Sequence, residues 1–141
     1  MTEARRASEA SADRNRKVGC VVVRDGAVVA TGWNGIGTVH GVEDRAERHE
    51  RPEKYFWAEH AERRAIYEAA RFGVGLEGAA IYVSWFPCMD CARAVVECRM
   101  AEIVCGKAPD MTDPKWGEDF KRVEMLFAEA GVNARYMEEA K

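Results

Sequence analysis

Ala79-Ala80-Ile81-Tyr82-Val83-Ser84-Trp85-Phe86-Pro87-Cys88-Met89-Asp90-Cys91 reads as a strand that runs directly into the start of a helix. Ile, Tyr and Val within Ala79–Ser84 suit a strand, and Pro87 suits a helix start, where its missing N–H costs nothing. The helix should continue to about Arg99, with a further strand over Glu102–Cys105. Before this stretch, Ala58–Phe72 has apolar residues at Ala58, Ala61, Ala65, Ile66, Ala69 and Ala70, a helical spacing that Gly73 ends. Earlier still, Val18–Val23 and Ala27–Trp33 flank Asp25-Gly26, a hairpin signal. After Cys105 come a loop with Pro109 and Pro114, a helix from about Lys115 to Ala130 stopped by Gly131, and a short strand over Asn133–Met137. A hairpin followed by alternating helices and strands makes the later strands parallel, with helices on the faces. The expected fold is α/β, a three-layer α/β/α sandwich, in a single domain over residues 1–141.

The 141 residues are enough for one domain with a real core, and 48% hydrophobic with 32% charged is ordinary for a globular chain. No apolar run approaches the ~20 residues of a membrane span. Met1–Lys17 is polar, without the apolar centre of a signal peptide, so a cytoplasmic location is expected. The net charge of −3 lacks the basic stripe of a polynucleotide binder, and Arg14, Arg16 and Lys17 read as a solvated segment. A small-molecule substrate is favoured. Five cysteines, an odd number, argue for metal binding or burial rather than a disulfide framework, and Cys20, Cys98 and Cys105 sit among core-type neighbours. Between Asn34 and Trp57 the periodicity disappears. Gly35, Gly37 and Gly41 precede a charged run, Glu43–Lys54, that fits a solvated helical turn, and the glycine segment fits a lid or pocket wall.

Two motifs carry chemistry. His60-Ala61-Glu62 lies at the start of one helix and Pro87-Cys88-Met89-Asp90-Cys91 at the start of the next. At a helix N-terminus the backbone N–H groups and dipole favour thiolates, which suits Cys88 and Cys91 as metal ligands. With His60 they make a three-ligand zinc set whose open fourth position marks a catalytic rather than structural site. Water there becomes acidic, and Glu62, a carboxylate outside the ligand set, is placed in sequence to move its proton. Residues two apart on a helix point ~200° from each other, so spacing alone does not bring His60 and Glu62 together. A lone Cys-x-x-Cys could equally be a redox pair or half of a structural site. The first needs no His-x-Glu, and the second needs a fourth ligand, for which His40 and His49 lie in the polar irregular segment. Taken jointly, the motifs match the zinc-deaminase signature.

The chain resembles the cytidine/deoxycytidylate (dCMP) deaminase superfamily, and dCMP deaminases most. Gly32-Trp33-Asn34-Gly35 resembles their Gly-Tyr-Asn-Gly, Lys54-Tyr55 their Lys-Tyr before His-Ala-Glu, Phe86–Arg93 their metal-binding helix start, and Ala130-Gly131-Val132 their last helix end. The similarity runs from about Arg14 to Met137. It implies a five-stranded mixed sheet, one catalytic zinc per chain, a homo-oligomer (often a hexamer), and conversion of dCMP to dUMP and ammonia with Glu62 as proton carrier. It also implies substrate contacts. Asn34 would bond the sugar or base, Arg16 would fall near a phosphate position, and Arg71 would support the site or a subunit contact. Lys107 stands where the family carries a tyrosine near the phosphate. Ile36-Gly37-Thr38-Val39 replaces the family's Phe-Pro-x-Gly, a region tied to nucleotide-triphosphate regulation, and Arg64 replaces its usual Asn. Trp33, Trp57, Trp85 and Phe86 are candidates to stack on the base, and the carbonyl of Ser84 or Trp85 to accept from its amine. Three alternatives remain: a deaminase of a free base or nucleoside (cytosine, a modified pyrimidine or a purine), a nucleic-acid deaminase, and a non-catalytic zinc-binding module. The acidic total counts against the second, and an intact Glu62 with only three ligands against the third.

Overall fold

Asp25 and Gly26 take φ of 51° and 77°, the left-handed pair that a two-residue hairpin turn requires. They join β1 (Gly19–Arg24) to β2 (Ala27–Trp33) in a computed structural model that describes Met1–Met137. The remaining elements are α1 (Thr2–Ser8), α2 (Lys54–Trp57), α3 (Ala61–Phe72), β3 (Ala80–Val83), α4 (Met89–Glu97), β4 (Glu102–Cys105), α5 (Gly117–Ala130) and β5 (Asn133–Tyr136). Single turns of 3-10 helix cover Ile36–Thr38 and Ala46–His49. The sheet is five-stranded and mixed, in the order β2-β1-β3-β4-β5. β1 is antiparallel to β2 and β3, while β3, β4 and β5 run parallel.

Register decides which side chains meet the helices. Cys20 opposes Val83 and Val22 opposes Ile81; Ile81 and Val83 in turn oppose Ile103 and Cys105. These six residues are fully buried and share one face, where they pack with Ala61, Ala65 and Ala69 of α3, Ala92 and Val95 of α4, and Phe120, Val123 and Phe127 of α5. The crossovers through α4 and α5 step the same way along the sheet, so a common right hand puts both helices on that face. Gly19 points to the opposite face, where a Cβ would lie 2.2 Å from the carbonyl oxygen of Ala4 in α1. Among the described residues, α1 therefore supplies the second outer layer over β1. The expected three-layer α/β/α sandwich is present, but one layer comes from an N-terminal segment that had read as merely polar. Only Ala4 of α1 is buried, so the helix has no apolar stripe to betray it.

Two further boundaries differ from expectation. The helix predicted from Ala58 begins at Ala61, because Glu59 is held extended by a two-way backbone pair with Gly35 (3.0 and 3.1 Å). The charged run before it closes into α2, where Lys54 bonds Asp13. The outer edge of β2 is also occupied. The Thr31 N–H donates to Glu68 Oε2 at 2.7 Å, and its carbonyl accepts from Arg64 Nη1 at 3.2 Å. The Arg64 guanidinium lies over the Trp33 ring at 3.6 Å.

α3 can lie this close to the sheet because residue 32 is glycine. A Cβ there would fall 2.0 Å from the Ala61 carbonyl oxygen and 2.8 Å from the Ala65 nitrogen, both backbone atoms. Gly32→Ala must push the first turn of α3 outward, an overpacking cost of about 1–3 kcal/mol. The variant is expected to melt several degrees below wild type in a calorimetric scan; an unchanged melting temperature would contradict this packing.

Candidate active site

The metal-type cluster forms where three constraints meet. Glu59 is tied to Gly35 through its backbone, and its Oε1 accepts both the His60 N–H (2.8 Å) and Arg63 Nε (2.7 Å). Cys20 Sγ donates to the Ala61 carbonyl at 3.0 Å, fixing the first turn of α3 to β1. Arg63 also reaches Asp90 at 3.6 Å, which ties the start of α3 to the start of α4. His60 itself is the N-cap of α3, with extended φ and ψ of −90° and 152°. Its side chain thus does not follow helical geometry, and the ~200° separation of an ideal helix does not apply between it and Glu62. This is how both come to meet the two cysteines.

His60 Nδ1 lies 3.4 Å from Cys88 Sγ and 3.5 Å from Cys91 Sγ, and the ligand atoms of all three residues fall within 4.8 Å of one another. A tetrahedral zinc with its usual Zn–N and Zn–S bond lengths would set N···S at about 3.6 Å, so the donor set fits that ion. His40 is exposed and His49 pairs with Asp44, and neither joins the cluster. Cys88 is the N-cap of α4 and Cys91 lies in its first turn. A hydrogen bond from the Cys91 thiol, helped by His60, lowers Cys88 to about 4. Cys91, which donates that bond and is buried, is pushed up. The bond to Cys88 also raises His60. Glu62 is 4% exposed, and burial raises its carboxyl against the opposing charge of His60. The cluster grades from exposed His60 through half-buried Cys88 to buried Cys91, so its open side faces solvent.

Beside the cluster is a cavity of about 210 Å³ whose wall includes Arg16, Trp85, Phe86, Lys107 and Trp116. None of the metal-type ligands lines it; the link is through the chain, Phe86 of the lining standing two residues before Cys88. The Arg16 guanidinium rests on the Trp85 ring at 3.9 Å. Two of the sequence-predicted substrate residues, Arg16 and Lys107, thus share one wall. Asn34 is nearby but engaged: its Oδ1 accepts from the Val18 N–H and the Ser11 hydroxyl (both 2.8 Å), and its Nδ2 donates to the Arg16 carbonyl at 2.9 Å. Arg71 is not brought to the site. It is exposed in the last turn of α3, about 15 Å along the axis from Ala61, with its guanidinium on the Phe72 ring at 4.5 Å. Arg71 belongs neither to the metal-type cluster nor to the residues lining the cavity next to Phe86. Of the four aromatic candidates, Trp85 and Phe86 line the cavity and Trp33 and Trp57 do not; the latter two lie under Arg64 and Arg48, at 3.6 and 3.7 Å.

The sequence reading missed Glu59, Ser11 and Asp13. Ser11 and Asp13 are buried polar residues at 3% and 6% exposure. Their signal was a run of turn-forming side chains ahead of β1, which is common in solvated loops.

Comparison with known proteins agrees with this site. Residues 1–107 match the family described as "Cytidine and deoxycytidylate deaminase zinc-binding region". An uncharacterized deaminase of the luxG 3' region of Aliivibrio fischeri is 34% identical over 127 residues, 90% of this chain and 83% of the relative. The deoxycytidylate deaminase of Homo sapiens is 29% identical over 136 residues, 91% of this chain and 71% of the relative. In fold, the chain is similar to the dCMP deaminase of cyanophage S-TIM5 solved with dCMP and dUMP, with a TM-score of 0.75, 22% identity, and coverage of 96% of this chain and 92% of that one. The chain belongs to the cytidine and deoxycytidylate deaminase family, whose members are hydrolytic deaminases. His60, Cys88 and Cys91 fit its single catalytic zinc. Among the described residues no helix is long and apolar enough to cross a membrane.

Purified protein is expected to hold about one zinc per chain, as a three-ligand site should. His60→Ala, Cys88→Ala and Cys91→Ala should each lose metal and activity together, read by elemental analysis beside ammonia release. Active wild-type protein without zinc would refute this ligand set.

Proposed function

We propose that the chain deaminates a pyrimidine nucleotide, converting dCMP to dUMP and ammonia. The observation that carries this reading is the placement of two cations, Arg16 and Lys107, in one aromatic-walled cavity whose two carboxylates, Asp110 and Asp113, are engaged by Thr112 and by the N–H groups of Lys115 and Trp116. An arginine offers a phosphate two parallel N–H donors, and Lys107 adds a mobile charge. Trp85, already under a guanidinium, gives the base or sugar a flat neighbour, and Asn34 keeps a second amide hydrogen for a substrate oxygen. Lys54, the other basic residue near the motifs, is spent on Asp13.

His60, Cys88 and Cys91 would hold zinc, which when bound would supply a water acidified to a pKa of ~7. Glu62 is the proton carrier. Its buried carboxylate would accept one proton from the water and deliver it to the ring nitrogen, then accept the second proton, from the hydroxyl added to the ring carbon, and deliver it to the amine, which departs as ammonia. Burial raises its carboxyl towards the range useful for both roles. In this reading the protein is a single-domain cytoplasmic enzyme that works as a homo-oligomer. Exposed Tyr67 and Phe72 on α3 are apolar surface for a second copy, and Arg71 stands beside them.

Glu62→Gln should keep its zinc and its fold yet lose turnover by on the order of 10² to 10⁴; near-normal turnover would give the proton transfer to another residue. The substrate assignment is tested by the kcat/KM ratio of dCMP to deoxycytidine. A site built for a charged group loses affinity when its cations go unpaired, so the ratio should exceed ~10 and fall in Arg16→Ala and Lys107→Ala. A ratio near or below one in wild type would overturn the nucleotide reading and leave the deaminase assignment in place.

A further inference from the structure

Arg16 lies on a segment without regular secondary structure, yet both of its backbone polar groups are held. Its N–H donates to Asp13 Oδ1 at 3.0 Å, and its carbonyl accepts from Asn34 Nδ2 at 2.9 Å. The same Asp13 oxygen accepts the Asn15 N–H at 2.9 Å, which closes a tight turn from Asp13 to Arg16. Lys54 Nζ of α2 approaches both Asp13 oxygens, at 2.9 and 3.0 Å. The Asp13 N–H donates to Ser11 Oγ, whose own proton goes to Asn34. Burial pushes the Asp13 carboxyl up, but Lys54 and the N–H groups of Arg16 and Asn15 outweigh it and hold it below the ordinary carboxylate range.

A buried carboxylate is costly unless its acceptor sites are filled. Here they are filled by the backbone on one side and by an ammonium on the other. What the arrangement fixes is the backbone beneath an exposed, long side chain. Such a side chain ordinarily loses rotamer freedom when it binds a ligand, and ordering it beforehand removes part of that cost. The Trp85 ring supplies the second support, under the guanidinium.

We propose that Asp13 is a positioning residue that pins the backbone of Arg16 and so presents its guanidinium, laid on Trp85, as a preformed clamp for the anionic group of the substrate. This rests on the nucleotide reading above, in which Arg16 meets the phosphate. Asp13 touches no substrate. Its effect passes through Arg16 and is confined to substrates that carry the anion.

The test compares kcat/KM for dCMP and deoxycytidine in Asp13→Ala, Asp13→Asn, Lys54→Met and Arg16→Ala. Asp13→Ala frees the N–H groups of Asn15 and Arg16, and should lower kcat/KM for dCMP on the order of tenfold, chiefly through KM, as expected when preorganised binding is lost. Deoxycytidine should change far less. Asp13→Asn keeps an oxygen for both N–H groups and should recover most of the dCMP preference. Lys54→Met breaks the ion pair but leaves the turn, and should lower the melting temperature while keeping the preference. Asp13→Ala in the Arg16→Ala background should cost no further preference. If Asp13→Ala does not yield folded protein, Asp13→Ser, with too short a side chain for both N–H groups, carries the same expectation. Equal losses for dCMP and deoxycytidine in Asp13→Ala, or an equal loss of preference in Lys54→Met, would reduce Asp13 to a structural role and overturn the proposal. A wild-type ratio in Asp13→Ala with a lowered ratio in Arg16→Ala overturns the positioning role alone. A wild-type ratio well above one that is unchanged in Arg16→Ala overturns the clamp and leaves the nucleotide reading, which falls only if the wild-type ratio itself is near or below one.

Discussion

The contact on which the site depends is between the backbone of β2 at Gly32 and the first turn of α3. No side chain separates them, so the Ala61 carbonyl sits against the sheet and takes the Cys20 thiol as a donor. The start of α3 is thereby fixed in height over β1 and β2. Just before it, the Gly35–Glu59 pair keeps the chain extended up to His60. A histidine at the N-cap and a glutamate in the first turn would be separated by any drift of this joint. Two close-packed elements leave little room for drift, because protein interiors transmit displacement rather than absorb it. The second motif is set by a similar economy: β3 ends at Val83, and only Ser84–Pro87 separate it from Cys88, the cap of α4.

Much of this was legible in the residues because the signals were local. The hairpin announced itself at Asp25-Gly26, β3 and β4 by β-branched residues, and α5 by its stop at Gly131. The ligand set was legible because a Cys-x-x-Cys with a preceding His-x-Glu has few other uses. What could not be read was whatever depended on partners distant in sequence. Asp13 and Lys54 are 41 residues apart, and each alone looks like an ordinary surface charge. The start of α3 was misplaced by a bridge from Gly35 that overrides the helical propensity of Ala58. Arg71 was singled out by resemblance to an arginine at the end of the family's His-Ala-Glu helix, as a support of the site or of a subunit contact, and the fold sets it in the last turn of α3. Even the geometry of His60 and Glu62, opposed on an ideal helix, becomes intelligible only once the helix is seen to start after His60.

Charge is distributed unevenly around the site, in a way the net value of −3 conceals. Acidic groups near the cluster are consumed: Glu59 by Arg63 and the His60 N–H, Asp90 by Arg63 and Arg93, Asp13 by Lys54 and the turn. Arg16 and Lys107, by contrast, have no carboxylate partner among the described ion pairs. The cavity lined by Arg16 and Lys107 also carries two carboxylates, Asp110 and Asp113, but these are already bonded to Thr112 and to the N–H groups of Lys115 and Trp116.

The occupied edge of β2 has a consequence for how copies of this chain can meet. A bare outer strand invites a neighbour to extend the sheet by backbone pairing. At Thr31 both backbone groups are already taken by Glu68 and Arg64, side chains from the helix above. A second molecule would have to strip off a charged pair, one of whose members is stacked on Trp33, before it could add a strand there. Continuation of the sheet across this edge, whether in an ordered assembly or in the disordered growth of an aggregate, is blocked at its midpoint. Association of copies on this side of the sheet is left to side chains, where contacts are specific to sequence rather than common to every polypeptide.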